Sequence, residues 1–287
     1  MRQLLFFFTL ILLFASCKND TLTPTPTPPT EAAKPVVYKD ISYGTQSQQK
    51  MDIDLPAGRT ATTTKTIVVI HGGAWLDGDK ADMTFVVDSI KKRNPNFALI
   101  NVNYRLALYG LANLFPTQEL DIKSAIDFYL AKSAEYLVSK DLIILGASAG
   151  AHLALLHSYK NDQAKHVKAV VDFFGPTDLV AIWNEGYYQQ LALTAATGTS
   201  YSGNPAIYTQ SSPITFVTAQ SPPTIVLQGL IDDIVLPVQS TKLIDKLNSA
   251  GVSNQLVTYP NEGHGFSNAS NTDALNKILP FIAKYVK

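Results

Sequence analysis

From about Val36 onward, short, largely apolar runs alternate with stretches in which apolar residues recur every three or four positions. Residues 66–70, 97–104, 141–145, 167–174, 223–227 and 255–259 form the runs, rich in Val, Ile and Leu, and read as strands. Residues 83–92, 239–249 and 272–286 carry helical spacing. So do a longer stretch from Pro116 to about residue 136 and another from Ala149 to about residue 159. Pro280 is expected to kink the closing helix. Strands apolar at every position must be covered on both faces, which a parallel sheet with crossover helices provides. Right-handed crossovers then place helices on both sides. The pattern predicts an α/β fold with a mostly parallel central sheet. Residues 175–221 break the alternation: they are rich in Gly, Thr, Ser, Tyr and Pro, with weak helical spacing. That is too long for an ordinary connection and predicts a small lid inserted between two strands.

With 287 residues and 46% hydrophobic content, the chain suffices for one large domain, expected over residues 36–287. Its 23 basic and 23 acidic residues balance, and no Lys/Arg run offers a footprint for nucleic acid, which is excluded as a partner. The single cysteine, Cys17, rules out an intramolecular disulfide and any cysteine-based metal site. It follows Arg2 and an apolar stretch over residues 4–15 relieved only by Thr9. That stretch is short for a membrane span and reads as a signal peptide over residues 1–17. Phe14-Ala15-Ser16-Cys17 resembles a bacterial lipobox, departing from it at Phe14 where an aliphatic residue is usual. The resemblance implies a lipidated Cys17, an exported protein and membrane attachment through the lipid alone. Lys18 after the cysteine leans toward the outer membrane or cell surface. Residues 18–35, repetitive in Thr and Pro, cannot build a core and read as an extended linker. At about 3 Å per residue it holds the domain roughly 50 Å from its anchor.

Candidate chemistry gathers at the ends of the predicted strands. Gly146-Ala147-Ser148-Ala149-Gly150 fits G-x-S-x-G and falls where a strand gives way to a helix, the setting in which such a turn exposes a serine hydroxyl. His71-Gly72-Gly73-Ala74-Trp75 follows an earlier strand. Paired glycine lets backbone N–H groups approach a developing oxyanion, so Gly73, Ala74 and Ala149 are the candidate donors. His71 itself reads as structural. A serine needs a base, and a base needs an orienting acid. Of five histidines, His152 and His157 lie on the helix after Ser148 and His166 in a polar loop. His264 sits between glycines after the last strand, where α/β active sites lie. The acid falls in Gln228-Gly229-Leu230-Ile231-Asp232-Asp233, and the spacing leaves Asp232 and Asp233 both open. Glu262 reads as a solvated loop carboxylate.

These stretches resemble the α/β-hydrolases of the esterase/lipase superfamily. So do Asn103-Tyr104-Arg105-Leu106, Phe115-Pro116, Gly175-Pro176-Thr177-Asp178-Leu179 and Ser212-Pro213-Ile214. The similarity extends to the hormone-sensitive-lipase-like esterases and especially to the bacterial bifunctional feruloyl and acetyl-xylan esterases, from about Tyr38 to the C-terminus. The resemblance implies a Ser148, His264 and Asp232 set, the aspartate lying three residues after Gly229. It implies a serine carboxylic ester hydrolase working through an acyl-enzyme, with no metal or organic cofactor. The substrate implied is a small-molecule or polysaccharide-linked acetyl or feruloyl ester. Gln228 stands where histidine is common and Ala151 where a third glycine is usual; both are expected to lie clear of the three residues. Trp183, Tyr187 and Tyr188 of the lid are read either as ring-stacking residues or as core. Two other functions fit the fold: an exported peptidase or amidase, and a lipoprotein that binds ligand on an inactive hydrolase.

Overall fold

The structure, a computed structural model, describes residue 32 and residues 34–286. The expected leader, Cys17 and nearly all of the Thr/Pro-rich linker lie outside the described residues. Eight strands form one sheet: β1 (Val36–Ser42), β2 (Lys50–Leu55), β3 (Thr66–Ile70), β4 (Ala98–Val102), β5 (Leu142–Ala147), β6 (Val167–Phe173), β7 (Thr224–Gly229) and β8 (Asn254–Tyr259). Their order is β1-β2-β4-β3-β5-β6-β7-β8; β2 runs antiparallel to both its neighbours, β1 and β4, and the remaining pairs are parallel.

The parallel strands are largely apolar because successive side chains enter two different cores. On β3, Val68 and Ile70 join the core on one face, and Ile67 and Val69 the core on the other. Ile144 against Ile143 and Leu145 repeats the division on β5. Helices α1 (Thr84–Arg93), α2 (Thr117–Ala131), α3 (Ser133–Tyr136), α4 (Ala149–Leu156), α8 (Val238–Ser249) and α9 (Asn268–Tyr285) cover the two faces. The long helix expected from Pro116 is two, α2 and α3, broken at Lys132. The helix after Ser148 ends in a π-helical turn, His157–Asn161. α9 runs as one element with Pro280 inside it.

Residues 175–221 do form an insertion between β6 and β7, but they are more helical than their composition suggests. They hold α5 (Leu179–Trp183), α6 (Tyr187–Thr197), α7 (Pro205–Gln210) and a final 3-10 turn. Short helices lean on their caps. Asp178 accepts from Ala181 N–H at the start of α5, Asn204 caps α7 ahead of Pro205, and α6 ends in left-handed Gly198 (φ 75°).

One buried group under the insertion makes stability depend on pH. Asp172 on β6 is fully buried; its Oδ1 accepts from Gly175 N–H at 2.7 Å and its Oδ2 has no partner. Burial pushes its carboxyl up to about 7, against the smaller opposing effect of that hydrogen bond. The unfolded chain releases this proton near 3.8, so between those values the folded state holds the extra proton. Its contribution is complete below the unfolded value and is lost as pH rises toward 7, on the order of 4 kcal/mol in all. Asp172→Asn should therefore be more stable than wild type at pH 8 and lose that advantage by pH 4. Urea midpoints across that range measure it, and parallel pH profiles would remove Asp172 as the cause.

Candidate active site

Ser148 occupies the turn between β5 and α4 with φ 53° and ψ −122°, a conformation that costs an L-residue on the order of 1–2 kcal/mol. Its own N–H, donated to Phe173 O at 2.8 Å, helps hold it there. The flanking glycines are required by contact: a Cβ on Gly150 would lie 2.3 Å from the carbonyl oxygens of Ile70 and His71, and one on Gly146 2.3 Å from Gly150.

The loop after β8 brings His264 across to this turn. Its Nε2 lies 2.8 Å from Ser148 Oγ and its Nδ1 2.9 Å from Asp232 Oδ2. An ionised carboxylate can only accept, so Nδ1 carries the hydrogen and Nε2 is left to accept from the serine hydroxyl. Asp232 is buried, and its Oδ1 accepts from the N–H groups of Ile234 (3.0 Å) and Val235 (2.9 Å). Burial raises its carboxyl, but the hydrogen bonds from His264, Val235 and Ile234 outweigh that and hold it below the usual carboxylate range. The turn sends Asp233 the other way, exposed and into the wall of the neighbouring cleft. Glu262 is solvated, accepting from Ser267 and Ser270 at the start of α9.

Gln228 overturns the expectation that it stands apart. Its Nε2 donates to Asp232 Oδ2 at 3.2 Å, while its Oε1 accepts from Ser240 Oγ at 2.7 Å. Four residues before Asp232 on the same strand-to-loop path, a side chain with donors on one end and an acceptor on the other locks the carboxylate plane. The sequence carried that signal only as a departure from the family pattern. Ala151 is buried on α4.

The His71–Trp75 loop runs through positive φ at Gly73, Ala74 and Trp75 (106°, 51° and 65°). His71 is structural: Nδ1 donates to Gly72 O at 2.7 Å, and its ring stacks on Tyr104 at 4.3 Å. Tyr104 Oη donates in turn toward the carbonyls of His71 (3.1 Å) and Gly72 (3.2 Å). Among the described residues, the N–H groups of Gly73, Ala74 and Ala149 have no protein acceptor. Ala74 and Ala149 line a cleft of about 450 Å³ with Ser148 between them; Gly73 is not part of that wall.

His152 is buried beneath the site. Trp75 Nε1–H donates to its Nδ1 at 3.2 Å, so its Nε2–H donates to Ser211 O at 2.7 Å. Burial pushes its pKa down to about 4, leaving it a neutral strut between the Trp75 loop, α4 and the insertion. The rest of the cleft wall is mostly apolar, with Ile182 and Leu193 from the insertion and Val235 beside Asp232. Trp183 packs edge-on against Tyr208 at 5.5 Å as part of the insertion's core, whereas Tyr187 and Tyr188 are exposed and Tyr188 reaches the cleft.

A mostly parallel eight-stranded sheet with its cleft at the carboxyl edge is the α/β-hydrolase fold. The family model of BD-FAE matches residues 51–247, well over half of the chain, and the chain belongs to that family. It is similar to "Esterase LipQ" of Mycobacterium tuberculosis, 30% identical over 251 residues that make up 80% of this chain and 58% of that protein. "Probable carboxylic ester hydrolase LipM" of the same organism is 28% identical over 240 residues, 77% of this chain and 53% of the relative. The chain thus spans between half and three fifths of the length of these two relatives. Among solved structures, a "Bifunctional GH43-CE" from Bacteroides eggerthii superposes with a TM-score of 0.76 at 27% identity, covering 88% of this chain and 38% of that one.

Proposed function

We propose that the protein is a serine carboxylic ester hydrolase, with Ser148 as nucleophile, His264 as general base and Asp232 as the acid that orients it. The observation that carries this reading is the unbroken hydrogen-bond path Ser148–His264–Asp232 opening onto a cleft with unused backbone donors. In this reading His264 Nε2 takes the hydroxyl proton as Ser148 Oγ attacks the acyl carbonyl carbon. The oxyanion that forms is held by the N–H groups of Ala149 and Ala74, with Gly73 beside them. His264 returns the proton to the alkoxide as the ester C–O bond breaks, releasing the alcohol. Water, deprotonated by the same imidazole, then attacks the acyl-enzyme; the acyl bond to Ser148 Oγ breaks, His264 returns the proton to that oxygen, and the carboxylic acid leaves.

Short-acyl esters and acetyl or feruloyl esters on polysaccharide are the substrates this reading favours. The family membership, relatives named as esterases and the carbohydrate-linked name of the solved relative support it. Assay of p-nitrophenyl acetate, butyrate and octanoate beside methyl ferulate and acetylated xylan tests it, with turnover of the shorter esters expected. Cleavage of a p-nitroanilide with no ester turned over would make the enzyme an amidase. Inertness toward every substrate would leave a ligand-binding protein.

A further inference from the structure

One side of the Ser148 cleft is bordered by a collar that carries almost no charge. In a chain that is 16% charged, residues 186–231 contain no Asp, Glu, Lys, Arg or His, a run of 46 positions. Residues 106–114 contain none either. These two segments meet: Gly110 N–H donates to Ala195 O and Phe115 N–H to Ala196 O, both at 2.8 Å, at the far end of α6. At its near end, Gln189 Nε2 donates to Ile234 O at 3.2 Å, joining the loop after β7. The collar thus follows α6, about 16 Å long, from one loop to the other.

Its side chains are apolar and turned outward. Of the fourteen large hydrophobic residues exposed among the described residues, ten lie on these segments and on residues 230–238. Leu111 is 80% exposed and Tyr188 82%; Tyr109, Leu191, Ile231 and Ile234 are also open to solvent. Scattered exposed apolar residues need no explanation, but a contiguous set concentrated around one cleft marks an interaction surface. Asp233 is the collar's exposed charge, since Asp232 is buried against His264.

We infer that this collar docks the cleft onto the surface of a neutral, water-insoluble aliphatic ester, so that the substrate is drawn from an oil–water interface as well as from solution. The assignment rests on the ester hydrolase reading above. The collar runs without a break into the wall at Tyr188 and Ile234. A substrate chain that leaves the cleft on the Tyr188–Ile234 side lies on it. A face without cations gives no hold to an anionic membrane, a nucleic acid or an acidic protein. Outward Leu and Ile side chains give more to aliphatic chains than to the hydroxyl-edged rings of a sugar, so of the two ester classes favoured above the collar adds a hold on the aliphatic one and none on the polysaccharide-linked one.

Flotation tests the docking without turnover. Protein carrying Ser148→Ala, mixed with triolein droplets and centrifuged, is expected to rise with the cream layer equally at low and high salt. Leu111→Asp added to that background should cut the floated fraction at least fivefold, and Leu191→Asp should do the same, with unchanged melting temperatures showing that both remain folded. In the wild type, the rate on tributyrin should climb more steeply once the ester passes its solubility limit. Protein that stays in the aqueous phase overturns the inference, as does equal flotation of parent and both variants. A dimer by sedimentation that Leu111→Asp splits into monomers would mean a second copy covers the collar, and overturns it too. Turnover of dissolved p-nitrophenyl butyrate without flotation strikes the docking face alone. No turnover of that dissolved ester strikes the hydrolase reading and the substrate assignment with it.

Discussion

Ser148→Ala is expected to lower kcat on p-nitrophenyl butyrate by about a millionfold, roughly 8 kcal/mol of transition-state stabilisation, with KM little changed. The loss is large because the three side chains act as one unit. Without Oγ there is no acyl-enzyme, and His264 Nε2 faces nothing it can deprotonate except water held at random. What survives is the contribution of the backbone donors at Ala74 and Ala149 and of the cleft itself, worth some 10³–10⁴-fold over water. The change removes one hydroxyl from a turn held by backbone contacts, so the melting temperature should stay within a few degrees. Activity above a tenth of wild type in the purified variant would mean that another residue is the nucleophile.

The second large effect separates two neighbouring acids. Asp232→Asn should lower kcat by about 10⁴-fold, whereas Asp233→Asn should leave it within about twofold. In the Asp232→Asn variant, the amide oxygen would keep the acceptor position that Ile234 and Val235 N–H require. The amide nitrogen would then occupy the Oδ2 position, facing two groups that now donate, His264 Nδ1 and Gln228 Nε2. The imidazole relieves that conflict by carrying its hydrogen on Nε2, the tautomer that cannot take a proton from Ser148. Asp233 has no such neighbours. Initial rates of the two variants side by side decide it, and a comparable loss in both would mean that the loop rather than one carboxylate is what matters.

Much of this arrangement is legible in the sequence because burial on both faces leaves a mark. β3, β4 and β5 are largely apolar runs, with Thr66 and Asn101 their polar members, and their two-core packing is the reason. The antiparallel edge left a weaker trace. β2 alternates, with Met51, Ile53 and Leu55 buried between half-buried polar residues, and β1 is largely exposed, so neither stands out as an apolar run. In the insertion, helices of five, eleven and six residues offer little periodicity, and only Asp178, Asn204 and Gly198 mark their ends. Ser148 and His264 were recoverable because strand ends and glycines flag them, and the family spacing separated Asp232 from Asp233. Gln228 and His152 were not recoverable in their roles. His152 works through Trp75 and Ser211, both far away in the chain, and Gln228 ties Asp232 in the loop after its strand to Ser240 on the following helix; no local pattern encodes such pairings.

The strut through His152 also decides what light reports from this molecule. The chain has two tryptophans. Trp75 has its indole N–H bound to the buried imidazole, and Trp183 packs in the insertion against Tyr208. Both emitters therefore sit around the cleft, and neither is on the far side of the sheet. Intrinsic fluorescence is in effect a gauge of the cleft and its cover, so a shift in emission records their loosening even while the eight strands stay paired.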